Sequence, residues 1–282
     1  MNFARELWLR IETTHAVTYF GSETVDAGQN LGLPGFWMGY FAFRAAPMGA
    51  VGSGVVEATF FNFAPSFVRR WVPQVWSVAS PEVCIDARRD AAVETLRRLH
   101  PGVGAVAESI NPTLEAAMRL TISAGRPLFA ANRELPLPED PVERLWQLCT
   151  SLREHRGDGH VAALTAAGLD GLDAHVLIAA EQGNSPEDLQ RTRGWTPDDW
   201  AEAVARRAAR GQIDASGQLT DAGRSIRATI EKRTDELAAA PFAPLSNDEQ
   251  TSLIAALDPL ARTISASGTI RYPNPIGLPA VT

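Results

Sequence analysis

Residues 200–241 read WAEAVARRAARGQIDASGQLTDAGRSIRATIEKRTDELAAAP, and the stretch divides at Gly211. Just before it, Thr196-Pro197-Asp198-Asp199 supplies an N-cap, a proline at the first helical position and an acid in the capping-box position. That combination predicts a helix over 197–210, ended by the glycine. Gln212-Ile213-Asp214 and Gln218-Leu219-Thr220 then flank Ala215-Ser216-Gly217, the pattern of a tight hairpin. Asp221–Ala239 reads as a long helix, and Ser246-Asn247-Asp248-Glu249 caps another to about Ser265. Upstream, the punctuation predicts a short helix over 159–167, one over Asp170–Glu181 ending at Gly183, and one over 186–193 capped by Ser185-Pro186.

Helix, helix, helix, two-stranded wing and long helix is the order of a winged helix-turn-helix. The stretch resembles the MarR-type regulators on Arg210-Gly211-x-Ile213, where a helix runs into a wing, and on Leu219-Thr220-x-x-Gly223, which opens a long helix. That likeness covers about 170–265, and the chain as a whole resembles a helix-turn-helix family of unassigned function from high-GC bacteria. The resemblance implies a mainly α fold, a helical N-terminal half followed by a winged helix-turn-helix with a two-stranded β-wing. It also implies a homodimer joined through helices 221–239 and 247–265, and DNA read by helix 197–210 and a basic wing tip. The residues themselves disfavour DNA. Asp198, Asp199 and Glu202 stand at the end of the helix that would enter a major groove, where Arg, Asn or Gln are wanted. The wing, Asp214 to Gln218, has no positive charge, and Arg191, Arg193, Arg206, Arg207 and Arg210 lie away from the reading end.

Composition agrees with that restriction. The chain has 282 residues, 45% hydrophobic and 21% charged, with a net charge of −7. A generally basic nucleic-acid binder is excluded, because neutralising phosphate needs a surplus of Lys and Arg. Of 26 basic residues only Lys232 is lysine, which GC-rich coding explains. Cys84 and Cys149 are too few for a disulfide framework and read as free thiols. The opening MNFARELWLRIETTH is neither a signal nor a transit peptide, and no run reaches the roughly 18 apolar residues a membrane span needs. A cytoplasmic protein without membrane contact is expected.

The first half is read from its turn signals. Helices are expected over 3–20, 36–43 and 55–63, then from Pro65, over 81–100, 113–124 and 127–134. A Gly/Asp/Asn loop should follow the first of them. Leu135–Pro141 reads as a connection and Asp140-Pro141 caps a helix ending near Gly157. The expected organisation is a helical, aromatic-rich ligand-binding domain over 1–137, a winged-helix domain over 138–268 and an extended tail over 269–282. Fifteen of the 21 aromatic residues precede residue 80, whereas the second half builds its core from Ala, Leu and Ile. An aromatic-lined cleft with a few polar groups is the usual form of a small-molecule site. Trp37, Tyr40, Phe41, Arg44, Phe63 and Trp71 are therefore its candidate lining, with Arg44 seeking either Glu57 or a ligand carboxylate.

Two polar patterns are candidates for chemistry. Glu12 and His15 lie at i and i+3 on one helix face, the spacing of paired metal ligands or of an acid orienting an imidazole. Arg153 to His160, REHRGDGH, reads as a glycine-framed connection carrying His155, Asp158 and His160, suited to a divalent metal or to acid–base work. Its bland alternative is a connection whose charges serve as helix caps. Together Glu12, His15, His155, Asp158 and His160 are the candidate catalytic set, and His15, His155 and His160 the ligands if a metal is present. The sequence leaves open a divalent metal or a haem as cofactor, and also whether the protein is an enzyme. Three readings compete: acid–base or metal-assisted chemistry on a small, partly aromatic metabolite, a ligand-responsive DNA-binding regulator, and ligand or partner binding without catalysis.

Overall fold

A computed structural model describes residues 2–282. Its helices run in the order α1 (Phe3–Phe20), α2 (Ser22–Asn30), α3 (Gly35–Ala45), α4 (Ser53–Phe60), α5 (Pro65–Trp71), α6 (Val75–Val78), α7 (Pro81–Leu99) and α8 (Val103–Leu120). They continue with α9 (Pro127–Arg133), α10 (Pro141–Ala166), α11 (Gly171–Gln182), α12 (Pro186–Arg193), α13 (Pro197–Ala209), α14 (Asp221–Ala239) and α15 (Asn247–Ala266). The caps read from the sequence are in place. Asp140 accepts from the amides of Val142 and Glu143, and Thr196 and Ser246 each close a full capping box, with Asp199 and Glu249. No single helix among the described residues is long and apolar enough to cross a membrane.

α10 is the spine. It packs against α1, α7, α8, α9 and α14, so both of its long faces are covered. One core gathers α1, α7, α8, α10 and α15 around Leu7, Leu96, Leu114, Trp146 and Leu260, and so draws on both ends of the chain. A second holds the aromatic block around Phe41, Phe43, Phe60 and Phe63, and a third gathers α11, α13 and the segments beside them around Leu172, Val176 and Trp200. α15, expected at a dimer contact, lies along α1 and α8 of its own chain.

Four expectations need correction. The two-stranded β-wing is not formed: the hairpin keeps a single antiparallel bridge, Ile213 to Leu219, and among the described residues there is no sheet. Its arms are too short, because α13 ends just before Gly211 and Thr220 is already the N-cap of α14. The Asp214 carboxylate also takes the amides of Ser216 and Gln218, at 2.8 and 3.0 Å, in place of a ladder partner. Residues 153–160 are not a connection but the middle of α10. There Gly159 makes room rather than a turn, since a Cβ would stand 2.8 Å from Nη1 of Arg126 and 3.4 Å from Cβ of Leu237 on α14. The loop expected after α1 is largely α2, held against α7 and α3, with its Gly28 crossing Gly39 at backbone distance. Finally α8 starts at Val103, ten residues early, and runs through Pro112.

Candidate functional site

The aromatic block meets the helix-turn-helix helices through residues 61–67. Gly171, first residue of α11, lies so close to this bend that a Cβ there would sit 2.1 Å from the Phe61 carbonyl oxygen. Phe61 itself has φ +60°, a conformation costly for a side chain of this size. At the far end of α12, Gly194 (φ +78°) faces Phe67, where a Cβ would come within 2.3 Å, and the Ala64 amide donates to the Arg193 carbonyl at 2.9 Å. This docking leaves a cleft of about 630 Å³ between the two parts, within the usual range for small-molecule sites. Its walls are Arg5, Trp8 and Glu12 of α1, Tyr40 and Arg44 of α3, Phe60 and Phe63, and Arg153, Arg156 and His160 of α10. His175 and Glu181 of α11, Arg193 of α12, Arg227 and Glu231 of α14 and the tail residues Pro275 to Pro279 complete them.

Six arginines therefore face one cleft, and five have carboxylate partners. Arg5 and Arg156 share Glu231 and Asp235, Arg227 holds Glu181 at 2.6 Å, Arg44 holds Glu154 at 3.2 Å, and Arg153 bridges Glu12 at 3.1 Å and Glu154 at 2.9 Å. Burial alone would raise the Glu154 carboxyl; Arg153 and Arg44 outweigh it and hold the group down at about 2. Arg193 is different. It is 7% exposed and donates only to neutral carbonyls, Thr192 at 3.2 Å and Pro275 at 2.8 Å, with its guanidinium 4.9 Å from the Phe63 ring centroid. Among the described residues no carboxylate pairs with it. Burial lowers its pKa for want of a compensating anion, yet a guanidinium stays charged at neutral pH.

The sequence candidates separate into three places. Glu12 and His160 line the cleft, and His160 is tied through Nδ1 to Thr234 Oγ1 at 2.9 Å. His15 lies behind it, stacked on Trp146 and linked through Nδ1 to Thr150 Oγ1 at 2.9 Å. His155 packs edge-on against Phe129 at 5.0 Å, and Asp158 accepts the Phe129 amide at 2.9 Å, capping α9 from the side. His155 and His160, five positions apart on one helix, point about 140° away from each other, and Thr150 and His160 are about 15 Å apart along it. The expected meeting of these groups in one constellation does not occur. Among the described residues no three His, Cys, Asp or Glu side chains are placed to hold a metal ion. Burial lowers the pKa of all these imidazoles: His15 well below normal, His155 to about 3 and His160 to about 4; the same burial raises Asp158 to about 7.

Of the expected ligand-binding set, Tyr40, Arg44 and Phe63 line the cleft. Trp37 and Phe41 lie behind them, Trp37 5.8 Å from Phe63 and Phe41 fully buried, while Trp71 lies at the edge of the cluster on Phe67. Arg44 pairs with Glu154 and not with Glu57, which holds Arg69 at 2.9 Å. The sequence reading missed Arg153, Glu154, Arg156 and Arg193 as site residues. The one signal was the excess of arginine, which coding bias explained equally well.

The face of α13 that would meet DNA is now visible. Its exposed residues are Pro197, Asp198, Ala201, Glu202, Ala205, Arg206, Ala208 and Ala209, two acids and one arginine among small apolar groups. Three of the helix-turn-helix arginines are paired, Arg206 with Asp170 and Asp173, Arg207 in a buried pair with Asp173 at 3.2 Å, and Arg191 in an exposed pair with Asp188, while Arg210 is exposed. Arg193 faces the interior.

A family model described as a helix-turn-helix family matches residues 4–271, nearly the whole chain. No curated protein matches the sequence. No solved structure matches it either.

Proposed function

The chain belongs to that helix-turn-helix family, and on this premise we propose that it binds a small organic anion in the cleft between the aromatic block and the helix-turn-helix helices. The observation that carries the proposal is Arg193, a buried guanidinium facing a 630 Å³ cleft with no carboxylate against it. Leaving such a charge uncompensated is costly in a protein interior. A ligand carboxylate or phosphate there makes the charge-assisted pairing that Thr192 and Pro275 carbonyls do not supply. Trp8, Tyr40, Phe60 and Phe63 line the same cleft, so the ligand is an anion with a flat or apolar body. Glu12, held by Arg153 at 3.1 Å, and His160, a neutral imidazole, stand among the polar groups of the cleft with His175, Glu181 and Glu231. The protein is thus read as a ligand-binding member of its family. The helix-turn-helix helices serve as the frame that carries Arg193 to the cleft.

Native mass spectrometry of the protein purified from its own host, followed by release and identification of bound species, tests this. An acidic metabolite at near-stoichiometric amount supports the proposal; a protein that carries none and is not stabilised by any aryl carboxylate or phosphate ester overturns it. Family membership favours a second reading, a DNA-binding regulator. Salt-sensitive, specific retardation of the promoter DNA of its own gene would establish that reading, against which the acidic, alanine-rich face of α13 speaks.

A further inference from the structure

Beside the cleft lies a second, much smaller pocket of about 30 Å³, with Tyr40 and Arg44 in the wall common to both and the exposed Val25, Gly35 and Phe36 at its rim. Four of its lining side chains have a buried polar atom without a hydrogen-bond partner: Nε2 of His15, the hydroxyls of Tyr19 and Thr24, and Nε of Arg88. They come from α1, α2 and α7, so separate elements line one pocket. His15, Tyr19 and Arg88 are 2%, 9% and 4% exposed. Native interiors rarely leave one such atom orphaned, let alone four around one space.

All four can donate at once. In the tautomer in which the Thr150 hydroxyl donates to Nδ1 of His15, the neutral ring bears its proton on Nε2. Arg88 Nε can only donate, and both hydroxyls can. Charge points the same way. Glu154 also lines the pocket, but its oxygens accept from Arg44 at 3.2 and 3.3 Å and from Arg153 at 2.9 Å. Glu12 completes that set by accepting from Arg153. Arg88 adds a third guanidinium to these two carboxylates. Its own partners are neutral, the Phe43 carbonyl and Asn132 Oδ1, each at 2.9 Å, with the Trp146 ring 5.4 Å away. Burial lowers Arg88 to about 10, so it stays charged at neutral pH.

We propose that this small pocket is a binding site for a small monovalent anion, a halide or a one-carbon carboxylate, held by Arg88, Tyr19, Thr24 and His15. The free space sets the size: it takes about two water molecules, which one halide or formate also fills, and is small for sulfate-sized or aromatic anions. The site is separate from the outer cleft and stands whether or not an organic acid binds there.

The test compares sodium chloride, bromide and formate with sodium gluconate at constant ionic strength. Thermal unfolding is followed for the wild type and for Tyr19→Phe, Thr24→Val and Arg88→Gln, with anomalous diffraction from bromide-grown crystals. The expected result is a wild-type Tm that rises with the three small anions and not with gluconate, with a bromide peak between Arg88 and Tyr19. Tyr19→Phe and Thr24→Val should each weaken the apparent affinity about tenfold, and Arg88→Gln, if it folds, should abolish the dependence. Ordered water alone in the pocket, or an anion dependence unchanged in Tyr19→Phe and Thr24→Val, overturns the assignment.

Discussion

Replacing Asp158 by asparagine should stabilise the protein in mild alkali, with an advantage that fades to nothing near pH 5 and reverses only around pH 4. Asp158 sits on α10, 5% exposed, with one carboxylate oxygen accepting the Phe129 amide. Burial raises its pKa from 3.8 to about 7. A group whose folded pKa lies above its unfolded value stabilises the fold fully below the unfolded value, and that contribution is lost as pH rises through the folded one. A shift of about 3 units at about 1.4 kcal/mol each places roughly 4 kcal/mol between the protonated and ionised limits. Asparagine mimics the protonated acid and keeps an acceptor for Phe129, at a cost of about 1–2 kcal/mol if its amide hydrogens stay unpaired. At pH 8 the variant should therefore be more stable by about 2–3 kcal/mol, or about 5–10 °C in Tm for a chain of this size. At pH 5 the unfolded carboxyl is already largely ionised and the wild type has lost about 1.5–2 kcal/mol of this term, so the two proteins should be nearly equal; the order should reverse only near pH 4, by about 1 kcal/mol. Urea unfolding of both proteins at pH 4, 5, 6, 7 and 8 measures the crossing, and the titration of the buried histidines, common to both, cancels in the difference. A gap between the two that stays constant across this range would refute the reasoning, because it would mean that Asp158 ionises as an exposed carboxyl does.

Three other outcomes are expected. Acid should destabilise the wild type from about pH 6.5 downward, because burial lowers His155 and His175 to about 3 and His160 to about 4. Stability tied to a lowered imidazole is present above the unfolded pKa and is lost as pH falls toward the folded value; His160→Gln should flatten part of that slope in a pH–Tm series. Asp173→Ala should cost about 3–5 kcal/mol in urea unfolding, since it strands the buried guanidinium of Arg207, whereas the pair Asp173→Leu with Arg207→Met should cost clearly less. Gly171→Ala should lower stability by about 3 kcal/mol by pushing a Cβ into the Phe61 carbonyl, and the same strain should loosen ligand binding in the cleft, measured by titration calorimetry.

How much of this was legible depends on how local each cause is. Helix starts at Asp140, Ser185, Thr196 and Ser246 were readable because the capping side chain and the amide it serves lie within three residues. The glycines of REHRGDGH misled, since Gly159 answers to Arg126 and Leu237, which are remote in the chain. The partner of Arg44 lies 110 positions away on α10, so a nearer carboxylate, Glu57, was the natural guess. Arg193 looked like a surface residue of a charged short helix. Its inward turn comes from the packing of Gly194 on Phe67 and of Ala64 on the Arg193 carbonyl, contacts between halves of the chain. The wing failed for a related reason: the alternation that suggests strands was present, but the N-cap of α14 left no residues for a ladder.

The central claim is that Arg193 anchors an organic anion in the cleft. Its most direct test is titration calorimetry with a matched pair, an aryl carboxylic acid and its primary amide, against the wild type and Arg193→Gln. The expected result is measurable binding of the carboxylate to the wild type, weakened at least tenfold, or about 1.4 kcal/mol, by either the amide or the substitution, with no further loss when the two are combined. Equal binding of acid and amide, or carboxylate affinity unchanged in Arg193→Gln, would contradict it.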